Sequence, residues 1–228
     1  METTQKIFNL IVLDESGSMD SIKNQIISGF NELIQTIRGT ADALPNQKHL
    51  MTMVTFNGLG MKTLFENEDV HKLKPLTTQS YRPNSSTPLY DALGDSILRL
   101  KKVSDLIPES RVLVTVLTDG AENASREYSG QDIQNLIKKL SSRNWTFTYI
   151  GTEHDVEHSA VTIAITNVMK FQASEEGISA MFVKERSARS RYYNNMNTCN
   201  ENKKGYYDDG EAAPTNQPAG ADAAEKTN

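Results

Sequence analysis

The chain has 228 residues, of which 37% are hydrophobic and 23% are charged, and this composition predicts one full-sized soluble domain rather than two. Its formal net charge of −5 argues against a surface that neutralises phosphates, so we predict no nucleic-acid partner. The single cysteine, Cys199, excludes an intrachain disulfide framework, and the opening residues have neither a charged leader nor a spanning apolar stretch, so we expect a cytoplasmic protein with no membrane partner.

The first half of the chain predicts three strands and one long helix. A nearly continuous apolar run over 6–13 is typical of a strand buried on both faces, and it stops at Asp14. Apolar residues at helical spacing predict an amphipathic helix over 19–38. Apolar segments over 48–57 and 61–65, separated by glycines, predict a hairpin whose second strand is a short antiparallel edge strand.

The second half continues the alternation of helices and strands. A polar loop over 74–88 leads into a helix predicted over 89–100, and the apolar run over 112–117 predicts another central strand, shortly before Asp119. We therefore predict an α/β fold, doubly wound, with a mostly parallel sheet and helices on both faces. The remaining predicted elements are a helix over 133–140, a strand over 145–150, a helix over 154–164, a strand over 167–172 and a helix over 175–190.

The end of the chain differs in composition from the rest. From Lys184 onward it contains no Ile, Leu, Val, Phe or Trp, so it cannot bury enough apolar surface to offset its ordering entropy. We predict a domain over 1–190, including the last helix, and a disordered polar tail over 191–228. The cations of the last helix are predicted to form a solvated basic face: Lys184, Arg186, Arg189 and Arg191.

Oxygen-bearing side chains cluster where the predicted strands end. Asp14, Ser16 and Ser18 follow the first strand, Thr87 lies just before a helix, and Asp119 follows a central strand. Doubly wound sheets bind ligands beyond the carboxyl ends of their strands, so these side chains can all meet there. Because Mg²⁺ prefers oxygen ligands and takes only one or two carboxylates from a protein, the pattern predicts a site for Mg²⁺ or Mn²⁺, or alternatively Ca²⁺.

Three motifs resemble the metal-ion-dependent adhesion site of von Willebrand factor type A domains: DESGS at 14–18, Thr87 in SSTPLYDAL, and Asp119 in LTDG. The resemblance implies a Rossmann-like fold and hydroxyl ligands from Ser16, Ser18 and Thr87, with Asp14 and Asp119 acting directly or through waters. It also implies an open coordination position that an acidic side chain of a partner protein fills. We therefore predict a non-enzymatic, metal-dependent interaction module, similar to standalone bacterial or phage-type members of the family.

Two alternatives use the same residues. An acid after a first parallel strand resembles the nucleophile of haloacid-dehalogenase-like phosphatases, so a metal-dependent phosphoesterase is the second hypothesis. Those enzymes usually carry another Asp two residues on, where this chain has Ser16, so the general acid is missing. In the third hypothesis there is no metal, and the residues after the strand serve only as caps and turn formers.

The segment HDVEH, from His154 to His158, fits the H-x-x-E-H pattern of some zinc proteases. The pattern is short, and the sequence places no convincing third ligand near it. We therefore predict that these histidines are solvated residues at a helix start rather than zinc ligands.

Overall fold

The computed structural model describes residues 4–152, 156–197 and 205–208, and it contains one six-stranded sheet flanked by helices. Short 3-10 turns occur at Gly17–Ile22 and Val70–Lys72. In chain order the strands and α-helices are β1 (Gln5–Asp14), α1 (Lys23–Ala43), β2 (Gln47–Asn57), β3 (Gly60–Asp69), α2 (Leu89–Ser104), β4 (Arg111–Leu117), α3 (Gly130–Ser141), β5 (Trp145–Thr152), α4 (Val156–Thr162), β6 (Asn167–Phe171) and α5 (Glu175–Asn197).

The sheet has the strand order β3-β2-β1-β4-β5-β6, with β1 near its centre. β1 pairs in parallel with β2 and β4, and β5 and β6 continue the parallel arrangement. β3 pairs antiparallel with β2 and forms the edge. The predicted α/β fold is confirmed. β3 extends to Asp69, beyond the predicted 61–65. The polar end of this strand pairs with β2 through backbone hydrogen bonds, and a search for apolar residues does not detect such pairing.

The two faces of the sheet bury two separate cores. Ile11 and Leu13 of β1 face the layer that holds α1 and α5, whereas Leu10 and Val12 face the layer that holds α2, α3 and α4. All four are at most 3% exposed, as expected for a strand covered by helices on both sides. None of the helices within the described ranges has the length and apolar character needed to cross a membrane.

α1 and α5 pack against each other at Gly29 and Phe182. A Cβ built on Gly29 would lie 2.0 Å from a carbon of the Phe182 ring, so only glycine allows this approach without a shift. Phe182 is 3% exposed, and the ring is therefore enclosed by its neighbours. This contact holds the last helix on the helix that follows the β1 loop.

The prediction of a disordered tail from residue 191 is wrong for the residues that the structure describes there. α5 continues to Asn197, and Tyr206 and Tyr207 are buried. The two tyrosine hydroxyls donate to the Glu185 carboxylate at 3.2 and 2.9 Å. Aromatic rings supply apolar area that a count of aliphatic side chains leaves out. The rest of the predicted tail lies outside the described residues.

The predicted basic face of α5 needs a correction at Arg189, which is fully buried. Its guanidinium donates to Glu185 at 2.9 Å, to Asn9 at 3.1 Å and to the Thr115 hydroxyl at 2.5 Å. A buried charge is tolerated when it is paired and hydrogen-bonded in this way. Because two of these partners come from the sheet, the helical pattern of α5 alone does not reveal them.

Candidate metal centre

The loop after β1 presents two hydroxyls beside a buried carboxylate. Asp14 is fully buried at the end of the strand, and its Oδ1 accepts a hydrogen bond from the Ser16 backbone N–H at 2.7 Å. The 3-10 turn that begins at Gly17 then carries Ser18 to the surface. The hydroxyl oxygens of Ser16 and Ser18 lie 3.2 Å apart. The loop therefore holds its oxygen atoms close together.

The second carboxylate comes from the end of the neighbouring strand. β1 and β4 are parallel neighbours, so Asp14 and Asp119 follow the same edge of the sheet. The Ser18 hydroxyl donates to Asp119 Oδ1 at 2.6 Å. This hydrogen bond joins two segments that are 101 residues apart in the chain.

Thr87 supplies the third hydroxyl to the same space. A Cβ built on Gly120 would lie 3.6 Å from the Thr87 hydroxyl oxygen and 3.7 Å from that of Ser18. Thr87 itself is only 3% exposed. The structure thus brings together all five candidate residues that the sequence predicts.

The loop that carries Thr87 is fixed to the β1 loop by hydrogen bonds. The Tyr81 hydroxyl donates to the Asp14 carbonyl at 2.7 Å, and the Gly17 N–H donates to the Ser85 carbonyl at 3.0 Å. At its other end, the Thr87 N–H donates to the Asn123 side chain at 2.9 Å. The site therefore rests on a frame of hydrogen bonds between its own loops.

Two nearby residues were missed by the sequence analysis. The Thr118 hydroxyl donates to Asp14 Oδ2 at 2.6 Å and accepts the Gly120 N–H at 3.1 Å, so it orients the carboxylate. Its position directly before Asp119 is the only signal for it in the sequence. Glu15 is buried, accepts the Arg82 N–H and lies 3.8 Å from the Lys62 ammonium. Nothing in the sequence distinguishes Glu15 from a solvated turn residue.

Other acids near the site have structural partners. Glu122 accepts the Tyr90 N–H at 2.9 Å and further N–H groups of its own loop, while Asp91 accepts three N–H groups over 126–128. Across the residues that the structure describes, no group of three or more His, Cys, Asp and Glu side chains is placed to hold a metal ion. The candidate centre therefore depends on hydroxyls together with two carboxylates.

Asp14 is fully buried, whereas Asp119 is only partly buried. Burial raises the pKa of Asp14 to about 6, although hydrogen bonds from Thr118 and Ser16 oppose the rise and the nearby Asp119 adds to it. Burial also raises the pKa of Asp119, while the hydrogen bond from Ser18 lowers it. Such a pair favours a bound cation, because the cation neutralises the charge that burial penalises. Neutral hydroxyls and two carboxylates form a donor set suited to Mg²⁺.

The zinc-protease pattern receives no support from the described residues. His158 lies on α4, but His154 lies outside the described part of the chain.

Comparisons with solved structures show the same fold at low identity. The match to proximal thread matrix protein 1 from the mussel byssus has 16% identity and a TM-score of 0.54, and it covers 82% of this chain and 47% of that chain. The SpRpn10 VWA domain matches with 12% identity and a TM-score of 0.52, over 78% of this chain and 94% of that chain. The pilus adhesin SpaC from Lactobacillus rhamnosus GG, in its open conformation, matches with 11% identity and a TM-score of 0.59, over 83% of this chain and 30% of that chain.

This chain thus spans about half the length of the mussel protein and less than a third of the adhesin. No protein with a curated description matches it. The family model for the von Willebrand factor type A domain matches residues 10–192, which include the second half of β1, the candidate site and most of α5. The chain therefore belongs to the von Willebrand factor type A domain family.

Proposed function

We propose that this chain is a divalent-metal-dependent protein interaction module, in which Mg²⁺ or Mn²⁺, or alternatively Ca²⁺, binds an acidic side chain of a partner protein. Von Willebrand factor type A domains commonly mediate protein–protein interactions. The proposal assigns that role to the carboxyl edge of the sheet. The proposed ligands are Asp14, Ser16, Ser18, Thr87 and Asp119.

The observation that carries the proposal is the meeting of three distant chain segments around one small space. Ser18 donates to Asp119, and the Ser18 and Thr87 hydroxyls both lie within 4 Å of a Cβ position on Gly120. Thr87 supports it further, because this largely buried residue places its hydroxyl in the same space. A bound divalent cation would supply a directional positive charge with an exchangeable position for a carboxylate.

A phosphoesterase with the same cluster is not favoured by any contact on the described residues. Ser16 stands where a dehalogenase-like enzyme carries its acid, and the Glu122 carboxylate is occupied by backbone N–H groups. Glu15 lies beside the Lys62 ammonium. Glu15 and Glu122 therefore already have partners, and we propose that the module has no phosphoesterase turnover.

Calorimetric titration of the full chain with Mg²⁺, Mn²⁺ and Ca²⁺ tests the proposal. We expect binding of at least one cation to the unmodified chain, and at least tenfold weaker binding to Thr87→Ala, because that variant removes one neutral oxygen ligand. Thr36→Ala is the matched control. It removes a hydroxyl from α1 more than a dozen residues, roughly 20 Å, beyond the start of the helix.

Equal cation affinity in Thr87→Ala and Thr36→Ala would contradict the proposed ligand set. The absence of binding heat with all three cations, together with unchanged thermal stability in a chelator, would favour the metal-free hypothesis. Metal-dependent turnover of a generic phosphoester that Asp14→Ala abolishes would support the enzyme hypothesis instead.

A further inference from the structure

An exposed leucine occupies the tip of the β2–β3 hairpin. Asn57 and Gly60 pair across the two strands, so Gly58 and Leu59 form the turn. Leu59 is 78% exposed. Turns of this kind favour small or polar residues, which supply the backbone conformation or local hydrogen bonds that a turn needs. Leucine supplies neither that backbone conformation nor a side-chain hydrogen bond, and Leu59 is not part of either hydrophobic core.

Exposure alone assigns no role, because single apolar side chains are common on protein surfaces. Leu106, Val161 and Val183 are also exposed. Leu59 differs from them in its attachment to the candidate metal centre. The Asn57 side chain donates to the Glu15 carbonyl at 3.3 Å and accepts the Leu59 N–H at 2.9 Å, so one residue connects the hairpin tip to the β1 loop.

The hairpin also contacts the loop that carries Thr87. A Cβ on Gly58 would lie 2.2 Å from the Ser86 hydroxyl oxygen and 2.5 Å from that of Ser85. The two loops therefore touch at a position that has no room for a side chain. Ser86 directly precedes Thr87, so the hairpin tip is held beside the site from two directions.

These contacts limit the distance between the leucine and the candidate metal ligand. Two Cα steps of about 3.8 Å and roughly 6 Å across the Gly58–Ser86 contact place the Cα atoms of Leu59 and Thr87 at most about 14 Å apart. An extended peptide covers that distance in about four residues. One short peptide segment is thus long enough to contact both points.

We propose that Leu59 is a second contact point for the partner, and that the partner presents a large apolar side chain within about four residues of its acidic residue. This inference rests on the proposed function, since the acidic residue is the group that the cation binds. The backbone N–H of Leu59 is hydrogen-bonded to the Asn57 side chain, so the hairpin tip loses little backbone entropy when an apolar side chain packs on it. Such a contact selects among acidic segments, which the cation alone does not do.

A peptide display selection tests the inference with a defined probe. The library carries peptides of about twelve residues with one fixed central Asp and all other positions random, a length that covers both points with residues to spare. The full chain is immobilised in Mg²⁺, and peptides released by a chelator are sequenced. The selection is repeated on Leu59→Ser and on Leu106→Ser. Leu106 is the matched control, because it is 80% exposed and lies between α2 and β4. It therefore precedes the start of β4, whereas the candidate site follows the end of that strand.

We expect peptides released from the unmodified chain and from Leu106→Ser to be enriched in Leu, Ile, Met, Phe or Trp within four positions of the Asp. The enrichment should vanish on Leu59→Ser. For one selected peptide, fluorescence anisotropy should give a Kd about tenfold weaker with Leu59→Ser and unchanged with Leu106→Ser.

Two other outcomes separate this inference from the function on which it rests. Chelator-released peptides that show no apolar preference, or that bind Leu59→Ser as well as the unmodified chain, would overturn the role of Leu59 and leave the metal-dependent module intact. Recovery of no chelator-released peptide from any of the three proteins would contradict the proposed function, and the inference would fall with it.

Discussion

Asp14 depends on Thr118 for its orientation as well as for part of its charge balance. The Thr118 hydroxyl lowers the pKa of Asp14 against the larger effect of burial, and it also accepts the N–H of Gly120 at the centre of the site. A single buried hydroxyl therefore links the first carboxylate to the loop of the second. Sequence reasoning predicted the five oxygen-bearing residues, but not this one, because a threonine directly after an apolar run looks like the end of the strand.

Replacement of Thr118 by valine should weaken Mg²⁺ binding about tenfold or more. A hydrogen bond to a carboxylate is typically worth about 1.5–3 kcal/mol, and without it Asp14 holds its proton more firmly and is less well oriented. Thr118→Ser retains the hydroxyl and should restore most of the affinity. Calorimetric titration of both variants checks this, and a Thr118→Val variant that binds Mg²⁺ as tightly as the unmodified chain would contradict the role of this hydrogen bond.

The raised pKa of Asp14 predicts a pH dependence of metal affinity. Below about pH 6 the metal-free carboxyl carries a proton that must leave before a cation binds, so the Kd for Mg²⁺ should rise by about tenfold per pH unit below that value. Mg²⁺ titrations between about pH 5 and pH 8 check this, because a carboxyl with the ordinary pKa near 4 would leave the Kd unchanged over that range. A Kd that stays constant down to about pH 5 would contradict a protonated, buried Asp14.

The raised pKa of Asp14 should make metal affinity increase with pH, but it should make the stability of the metal-free protein decrease with pH. The folded state holds this proton more tightly than the unfolded chain, so the contribution of Asp14 to the free energy of unfolding declines as pH rises from about 4 to about 6. A bound cation should reverse that decline, because it binds the ionised carboxylate of the folded state.

At the scale of the elements, the apolar patterns were sufficient to identify strands that are buried along their whole length. β1 and β4 are buried on both faces, and their apolar runs identify them as central parallel strands. The end of α5 was less predictable. Arg189 is fully buried by partners on β1 and β4, and a pattern that reads charge as exposure assigns it to the surface.

The contact between α1 and α5 offers a test within one helix. Gly29→Ala should lower the free energy of unfolding by about 1–3 kcal/mol, since the new methyl group would overlap the enclosed Phe182 ring. Gly39→Ala, in the same helix, meets no atom within 4 Å, so it should raise stability by about 0.5–1 kcal/mol through helix propensity alone.

Urea denaturation followed by circular dichroism measures both variants of α1. If Gly29→Ala were as stable as Gly39→Ala, the close packing of α5 on α1 would be disproved. A loss of stability in both would point to a general intolerance of α1 rather than to the Phe182 contact.

At the scale of the whole molecule, the sheet order explains why a site can be predicted from residues so far apart. Parallel neighbours place the ends of β1 and β4 side by side, so Asp14 and Asp119 follow from topology alone. Thr87 does not follow from the strand ends, because its loop belongs to no strand; its position just before a helix and the family resemblance pointed to it. The contact of Gly58, at the tip of the β2–β3 hairpin, with that loop depends on tertiary structure, and no local pattern encodes it.

The central claim is that a divalent cation binds among the side chains of Asp14, Ser16, Ser18, Thr87 and Asp119. Anomalous diffraction from a crystal of the full chain soaked in Mn²⁺ tests it most directly. We predict one strong anomalous peak within bonding distance, on the order of 2.1–2.5 Å, of the Ser16, Ser18 and Thr87 hydroxyl oxygens. The peak should disappear in Thr87→Ala crystals soaked at the same concentration or be much weaker there. A site without an anomalous peak, or a Mn²⁺ peak that lies elsewhere and persists in Thr87→Ala, would contradict the account.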